Sequence, residues 1–288
     1  MSDLQVSKTS KSFFEIFSVH LGLILFSQLV LFILVQVSVY TVTIQSRLPE
    51  DFLELTELER KEVQQKLIEN YQETLSKEPQ IFTEEYFHSM IENKPHLLFW
   101  NSFLWGFCFL LPAFIILYKV MKIKISTLDD VFDVHAVMLG LFSGLGVFLV
   151  IVILSLILLF FNIKLNPGKF QSMLFENLKG DINLLAWSVY TIGIVTGIVE
   201  ELFFRGFLLK NYIEKGFMTE GLIITSIIFG SVHYTSEGSI FIPLILTAVG
   251  FYFGAIYLIT KNIWVNIISH ATYNTLGIIL AYFIGDKL

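Results

Sequence analysis

Residues 193–209, GIVTGIVEELFFRGFLL, place three ionisable side chains in a run that is otherwise apolar enough to lie inside a bilayer. Charged groups near the bilayer centre are costly, so they normally pair with one another or face a cavity. Glu201 and Arg205 are four residues apart on one helical face, where they can form an ion pair. Glu200 points about 100° away from Glu201. Its carboxylate is therefore left as the candidate general base, in a buried setting that suits that role.

Two later apolar stretches carry further polar side chains with the same four-residue spacing. FGSVHY places Phe229 and His233 on one side of a helix, and NIISHATYNTLG does the same for His270 and Asn274. At 1.5 Å per residue, Glu200 and His233 both lie roughly 25 Å from a turn near residue 216. His270 and Asn274 lie roughly 12 to 18 Å beyond a turn near residue 262. The spacing allows one cluster drawn from three helices, with helix tilt absorbing the difference in depth.

Taken in order, the motifs E-E-x-x-x-R, F-x-x-x-H and H-x-x-x-N resemble those of the CAAX protease and bacteriocin-processing family of intramembrane proteases. This family is also called CPBP or Abi, and it includes the Ras-converting CAAX prenyl endopeptidase. The resemblance covers about residues 183–284. It implies an endopeptidase that hydrolyses a peptide bond in a membrane-associated protein or peptide, by CAAX-like or leader-type processing.

The resemblance also implies a role for each motif residue. Glu200 would activate water and His233 would assist that water. His270 and Asn274 would polarise the scissile carbonyl or stabilise its oxyanion, a role that suits the amide donor of asparagine. The remaining motif residues would support these side chains: Glu201, Arg205 and Phe229.

A metal-dependent alternative stays open, because one carboxylate and two imidazoles match a catalytic zinc shell with a position left for water. Its ligands would be Glu200, His233 and His270. The chain has no H-E-x-x-H helix, which favours the metal-free interpretation and no cofactor. Ser231 and Ser269 neighbour the motif histidines in sequence but point to other sides of their helices, so we expect ordinary polar contacts from them rather than nucleophiles.

The composition places the chain in the membrane class. Of its 288 residues 55% are hydrophobic and 15% are charged, and the mean hydropathy is +0.70. There is no basic footprint for nucleic acid, and the single Cys108 excludes an intramolecular disulfide. The N-terminal apolar run continues to about residue 44 without a small-residue cleavage pattern, so we expect a retained span. His20, His88, His96 and His135 lie outside the motifs, and we expect them to be structural or solvated.

The apolar stretches predict an all-α, polytopic transmembrane helix bundle of about seven spans, or eight if a long stretch divides. The predicted limits are 16–44, 97–118, 136–161, 183–209, 219–234, 240–260 and 263–284. They divide the chain into an N-terminal segment with the first span (1–45), an acidic amphipathic insertion (46–96), spans two and three (97–182) and a catalytic core (183–288).

The insertion reads as an amphipathic helix that ends near Pro79, with apolar residues every fourth position and i,i+4 pairs such as Glu57 with Lys61 and Glu73 with Lys77. It would be a solvated cap or, alternatively, a substrate-gating or partner-binding element. Small residues four apart predict close helix packing at Gly140 with Gly144 and at Gly250 with Gly254. At Gly193 with Gly197 we instead expect space for water or a peptide above the carboxylates.

Lysine placement favours a cytoplasmic N-terminus. That side would carry Lys8, Lys11, Lys119, Lys122, Lys124, Lys210, Lys215 and Lys261, against Lys164, Lys169, Lys179 and Lys287 on the other. Two rival functions use the same residues. One is a non-enzymatic immunity or scaffold protein, and the other is a proton-coupled transporter, although the chain shows no evident repeat symmetry. The expected partners are a bilayer and a membrane-associated substrate.

Overall fold

The computed structural model describes residues 3–78, 80–120 and 130–285, and within these ranges the regular structure is entirely helical. This confirms the predicted all-α class. We number the helices α1 (Asp3–Ser46), α2 (Glu57–Lys77), α3 (Gln80–Glu92), α4 (94–120), α5 (Val134–Phe160), α6 (Lys169–Leu178), α7 (Ile182–Glu214), α8 (Met218–Ser231), α9 (Phe241–Thr260) and α10 (Ile263–Ile284).

Six of the described helices are long and apolar enough to cross a membrane, namely α1, α4, α5, α7, α9 and α10. The apolar helix α8 is shorter, with 14 residues. The chain is therefore an integral membrane protein with a polytopic helical bundle, as predicted. One limit was wrong: the fifth span was expected to reach residue 234, but α8 ends at Ser231, so His233 lies beyond the helix. The amides of Val232 and His233 close its last turn on the carbonyls of Ile228 and Gly230.

The helix that carries the two glutamates, α7, begins where Asp181 caps it. The Asp181 carboxylate accepts the backbone N–H groups of Asn183 and Leu184, and the bond from Leu184 lowers the pKa of this carboxyl. Beyond its first two turns α7 alternates in pitch: π-helical segments at Val189–Val195 and Leu202–Leu209 flank an α-helical turn at Thr196–Glu201. Wider turns of this kind often occur at functional sites. Glu200 and Glu201 lie together in the α-helical turn between them.

The pair Gly193 and Gly197 brings α7 against α10. A methyl group on Gly193 would come within 2.6 Å of Thr275 Oγ1, and one on Gly197 within 3.2 Å of the Ala271 amide nitrogen. The expectation of open space here was wrong, because α10 fills it. The other two pairs also pack helices: Gly140 and Gly144 of α5 against α10, and Gly250 and Gly254 of α9 against α8.

The polar insertion forms two helices, of which α2 begins with a capping box between Thr56 and Glu59. Exposed ion pairs join Glu57 to Lys61 at 2.7 Å and Glu73 to Lys77 at 2.6 Å. The helix ends at Lys77, as expected, although Pro79 itself lies outside the described residues.

The second helix of the insertion, α3, packs on the membrane domain. Its Phe82 and Tyr86 are buried in one cluster with Val39 of α1 and Leu97 of α4. It also meets α6, where Lys169 pairs with Glu84. We call this end of the bundle the insertion end. Orientation in the membrane stays a prediction; Lys122, Lys124, Lys287 and the side chains of Lys8 and Lys11 lie outside the described residues.

Candidate active site

The predicted ion pair between Glu201 and Arg205 is present on α7 and is fully buried. Arg205 Nη1 donates to Glu201 Oε1 at 2.9 Å, and the two side chains are 3% and 0% exposed. Arg205 Nη2 donates to the backbone carbonyl of Gly250 on α9 at 2.7 Å. The guanidinium therefore uses its planar fork to join two helices as well as to neutralise a carboxylate.

Aromatic rings surround the Arg205 guanidinium. Its central carbon lies 5.0 Å from the ring centroid of Phe229, 5.6 Å from that of Phe253 and 5.9 Å from that of Phe204. The faces of aromatic rings attract a cation, most strongly where water is excluded. These contacts help to keep a full positive charge inside the bundle, and they place the motif residue Phe229 beside the ion pair.

Glu201 is bound by three donors from two helices. Besides Arg205 of its own helix, it accepts from His270 Nδ1 at 2.8 Å and from Asn266 Nδ2 at 3.3 Å, both on α10. Asn266 Nδ2 also donates to the carbonyl of Phe253 on α9 at 2.6 Å. Because its acceptor positions are occupied in this way, Glu201 holds the helices together and orients His270.

The neighbouring carboxylate, Glu200, faces two imidazoles instead. Its Oε1 lies 3.8 Å from His233 Nε2, and its Oε2 lies 3.8 Å from His270 Nε2. The structure thus brings Glu200, His233 and His270 together, as the spacing allows. Both distances exceed a direct hydrogen bond, so neither imidazole is bonded directly to Glu200.

The contacts of the two Nδ1 atoms determine the tautomer of each imidazole. His233 Nδ1 lies 2.6 Å from the carbonyl oxygen of Phe229, which can only accept, so this nitrogen carries the proton. His270 Nδ1 faces the carboxylate of Glu201, which favours the same tautomer. In their neutral forms, both histidines therefore direct the unprotonated Nε2 toward Glu200. The arrangement can accept and release a proton at Nε2 of either ring.

Of the three side chains at the site, that of His233 is the most exposed. The His233 side chain is 26% exposed, whereas the side chains of Glu200 and His270 are 6% and 4% exposed. His233 follows the end of α8, which is about 21 Å long and so shorter than the hydrocarbon core of a bilayer. A ligand would therefore meet His233 first and then Glu200.

Asn274 lies apart from this cluster. Its amide donates to the carbonyl of Ile192 at 3.1 Å, and Ile192 precedes Glu200 by about 12 Å along α7. The residue sits one turn beyond His270, as its spacing requires. One of its two amide hydrogens is used by Ile192, and the other has no partner among the described residues and can be donated to a ligand.

The two serines near the motif histidines make other bonds. Ser269 Oγ lies 2.9 Å from Ser143 Oγ and so connects α10 to α5, which confirms the expected contact between helices. Ser231 Oγ donates to the carbonyl of Ile227 one turn earlier. Of the four other histidines, His20 is buried and bonds Asn211 at 2.9 Å, and His88 is exposed beside Glu92. These contacts fit a structural or solvated role.

Three contributions to the site are missing from the sequence prediction: the side chain of Asn266, the ring and carbonyl of Phe253, and the carbonyl of Gly250. Phe253 stacks on the His270 ring with centroids 4.9 Å apart. Asn266 could have been found, because it precedes His270 by four residues on the same face of α10. The backbone carbonyls of α9 could not have been found, because every residue has one and the sequence does not distinguish those that contribute to the site.

The fold and site define a polytopic helical membrane protein with a buried glutamate, histidine and arginine cluster. Residues 182–276 match the model of the family described as type II CAAX prenyl endopeptidase Rce1-like. This segment contains all three motifs, and the match confirms the family resemblance over that part of the chain. No solved structure gives a significant match.

A curated relative matches part of this chain. It is the Bacillus subtilis (strain 168) protein named "Putative membrane peptidase YdiL", which is 41% identical over 88 residues. The match covers 30% of this chain and 34% of the relative. The chain thus spans about a third of the length of the curated relative that it matches, so the similarity concerns one segment of each protein.

Proposed function

We propose that the protein is an intramembrane endopeptidase that hydrolyses a peptide bond in a membrane-associated protein or peptide, with Glu200 activating the water. The observation that carries this proposal is the difference between the two adjacent glutamates. Glu201 is bound by Arg205, His270 and Asn266, whereas the Glu200 carboxylate faces two imidazole nitrogens at 3.8 Å each. The family match and the name of the Bacillus relative support a peptidase.

In the proposed reaction, a water molecule bound by Glu200 loses its proton to the carboxylate as its oxygen attacks the scissile carbonyl carbon. The electron pair of the carbonyl bond moves onto its oxygen. His233 lies on the accessible side of Glu200 and would orient the water. The proton taken by Glu200 then passes to the leaving nitrogen as the carbon–nitrogen bond breaks, which yields a carboxylic acid and an amine.

The charges of the site suit such a proton transfer. Glu200, Glu201 and Arg205 together carry one excess negative charge, in a setting where an unpaired charge is costly. One proton shared among Glu200, His233 and His270 would neutralise it. A protonated His270, held by Glu201 on its other nitrogen, could then donate to the oxyanion. Asn274, one turn away, would donate its free amide hydrogen to the substrate.

The proposal is metal-free. Glu200, His233 and His270 are of the donor types that zinc binds. Among the described residues, however, no group of three His, Cys, Asp or Glu side chains is close enough to hold a metal ion. The arrangement therefore does not fit a zinc site as it stands, and we derive no step through a metal.

The test is cleavage of a membrane-anchored peptide library by the detergent-purified protein, with Glu200→Gln as the decisive variant. General acid–base catalysis is worth roughly 10²- to 10⁴-fold, so we expect a loss in that range. Glu214→Gln is the matched control, because it is the same substitution on an exposed residue of the same helix. His233→Ala should also reduce cleavage.

Each reaction is run with and without a strong chelator. Cleavage that resists the chelator and disappears in Glu200→Gln supports the proposal. Loss on chelation with recovery on adding zinc would make Glu200 a ligand instead of the base. A folded wild-type protein that cleaves nothing in the library would favour the scaffold function, and uptake driven by a pH gradient would favour a transporter.

A further inference from the structure

Of the three groups that meet at the site, His233 is held differently from the other two. Glu200 and His270 lie inside the long helices α7 and α10, whose backbone fixes them. His233 lies two residues beyond the end of α8, in the 232–240 connection that leads to α9. Its amide and Nδ1 are bonded to the carbonyls of Gly230 and Phe229 at the end of α8, so its distance from Glu200 depends on how firmly this end and the connection after it are held.

Asn166, in the connection between α5 and α6, makes three hydrogen bonds at this place. Its Nδ2 donates to the carbonyl of Glu237 at 2.9 Å, and its own carbonyl accepts the amide of Ser239 at 2.8 Å. Its Oδ1 accepts the amide of Gly168 at 2.9 Å, which keeps the side chain turned toward the other connection. One asparagine thus fastens residues 235–239, which we call the 235–239 loop.

The two connections also fit closely. Gly168 has a backbone φ of 96°, which residues with a side chain rarely adopt. A methyl group there would also come within 2.8 Å of Thr235 Oγ1. On the opposite side, a methyl group on Gly238 would come within 3.3 Å of the carbonyl oxygen of Asn166. The absence of these two side chains lets the backbones approach, so the bonds of Asn166 can form.

Asn166 is itself anchored at the insertion end. The residues that follow it begin α6, where Lys169 pairs with Glu84 and Phe170 packs on Phe87, with ring centroids 5.2 Å apart. Both partners belong to α3 of the insertion. Through Asn166 and α6, the 235–239 loop is therefore connected to the insertion end of the bundle.

We propose that Asn166 is a positioning residue that holds the 235–239 loop, and through it the imidazole of His233, against Glu200. The inference rests on the proposed function, because it assigns His233 a part in the reaction. Asn166 is too far along the chain from the motifs to belong to them, and it acts only through the loop. Its loss should misplace His233 while leaving the buried cluster of Glu201, Arg205 and His270 intact.

Cleavage kinetics of Asn166→Ala and Asn166→Asp in the full-length protein test the proposal. Small misplacements of a catalytic group cost up to about 100-fold in rate, so we expect Asn166→Ala to lower kcat roughly 10- to 100-fold with KM within about threefold. Asn166→Asp keeps the acceptor for Gly168 but loses the donor to Glu237, and should fall between. Asn177→Ala is the matched control, because Asn177 makes the same kind of bond within α6, to Met173.

Hydrogen exchange of residues 234–240 supplies a readout that does not require cleavage. We expect faster exchange in this segment in Asn166→Ala and wild-type exchange in Asn177→Ala. Faster exchange with unchanged kcat would overturn the positioning role, and so would a loss of rate equal to that of Asn177→Ala. If the wild type cleaves nothing, the proposed function fails and the positioning role with it, and the exchange result then decides only whether Asn166 fastens the loop.

Discussion

Two regions of the molecule contain the same ion-pair spacing and use it in opposite ways. In the insertion, Glu57 and Lys61 lie 2.7 Å apart with side chains 80% and 69% exposed. In α7, Glu201 and Arg205 lie 2.9 Å apart with side chains 0% and 3% exposed. Each member of the exposed pair is solvated with or without its partner, whereas each member of the buried pair depends on the other for neutralisation of its charge. The i,i+4 pattern is therefore informative only together with the environment.

We expect the largest loss of stability for Arg205→Met. This change leaves Glu201 buried without its positive partner, and breaking a buried pair in this way costs about 3–5 kcal/mol of stability. The measurement is the free energy of unfolding in a fixed detergent. We expect Arg205→Lys to be milder, because it keeps the charge but loses the second arm that reaches Gly250.

The double variant Arg205→Met with Glu201→Gln sharpens this prediction. Removing the stranded charge should recover part of the lost stability, so the two changes together should cost less than the sum of the single variants. Additive losses would show that the charges do not depend on each other, and the contrast between the two regions would then have another cause.

A smaller effect is expected for Asn266→Ala. Asn266 donates to both Glu201 and the carbonyl of Phe253, and removing a buried donor costs about 1–3 kcal/mol because its partners lose their hydrogen bond. His270 would also lose support, so cleavage should decrease together with stability. Unchanged stability would mean that water replaces the amide and that the site is wetter than its burial indicates.

The smallest effect is expected for Lys61→Met, the counterpart of Arg205→Met in the insertion. Exposed pairs of this kind often contribute nothing measurable, so the unfolding midpoint should match that of the wild type. The measurement is the same detergent unfolding curve. A loss comparable to that of Arg205→Met would contradict the contrast on which these predictions rest.

Much of the membrane architecture could be predicted from the sequence, because spanning a bilayer requires long apolar runs and nothing else in the chain resembles them. The shared helical face of Glu201 and Arg205 could also be predicted, since residues four apart lie on the same side of any α-helix. The prediction was wrong at the end of α8 and at Gly193 with Gly197. Local pattern does not reveal where a helix unwinds near a polar loop, or which neighbour fills a small-residue groove.

The sequence by itself determined which groups could do chemistry: two adjacent carboxylates, an arginine and two histidines on hydrophobic helices, at depths that allow them to meet. Only the tertiary structure decided which partners from other helices each carboxylate meets. Glu201 is occupied because α10 brings His270 and Asn266 to it, and Glu200 is left facing Nε2 of two rings. The physical reason is that hydrogen bonds between helices, unlike those within one, depend on packing across distances that no local spacing encodes.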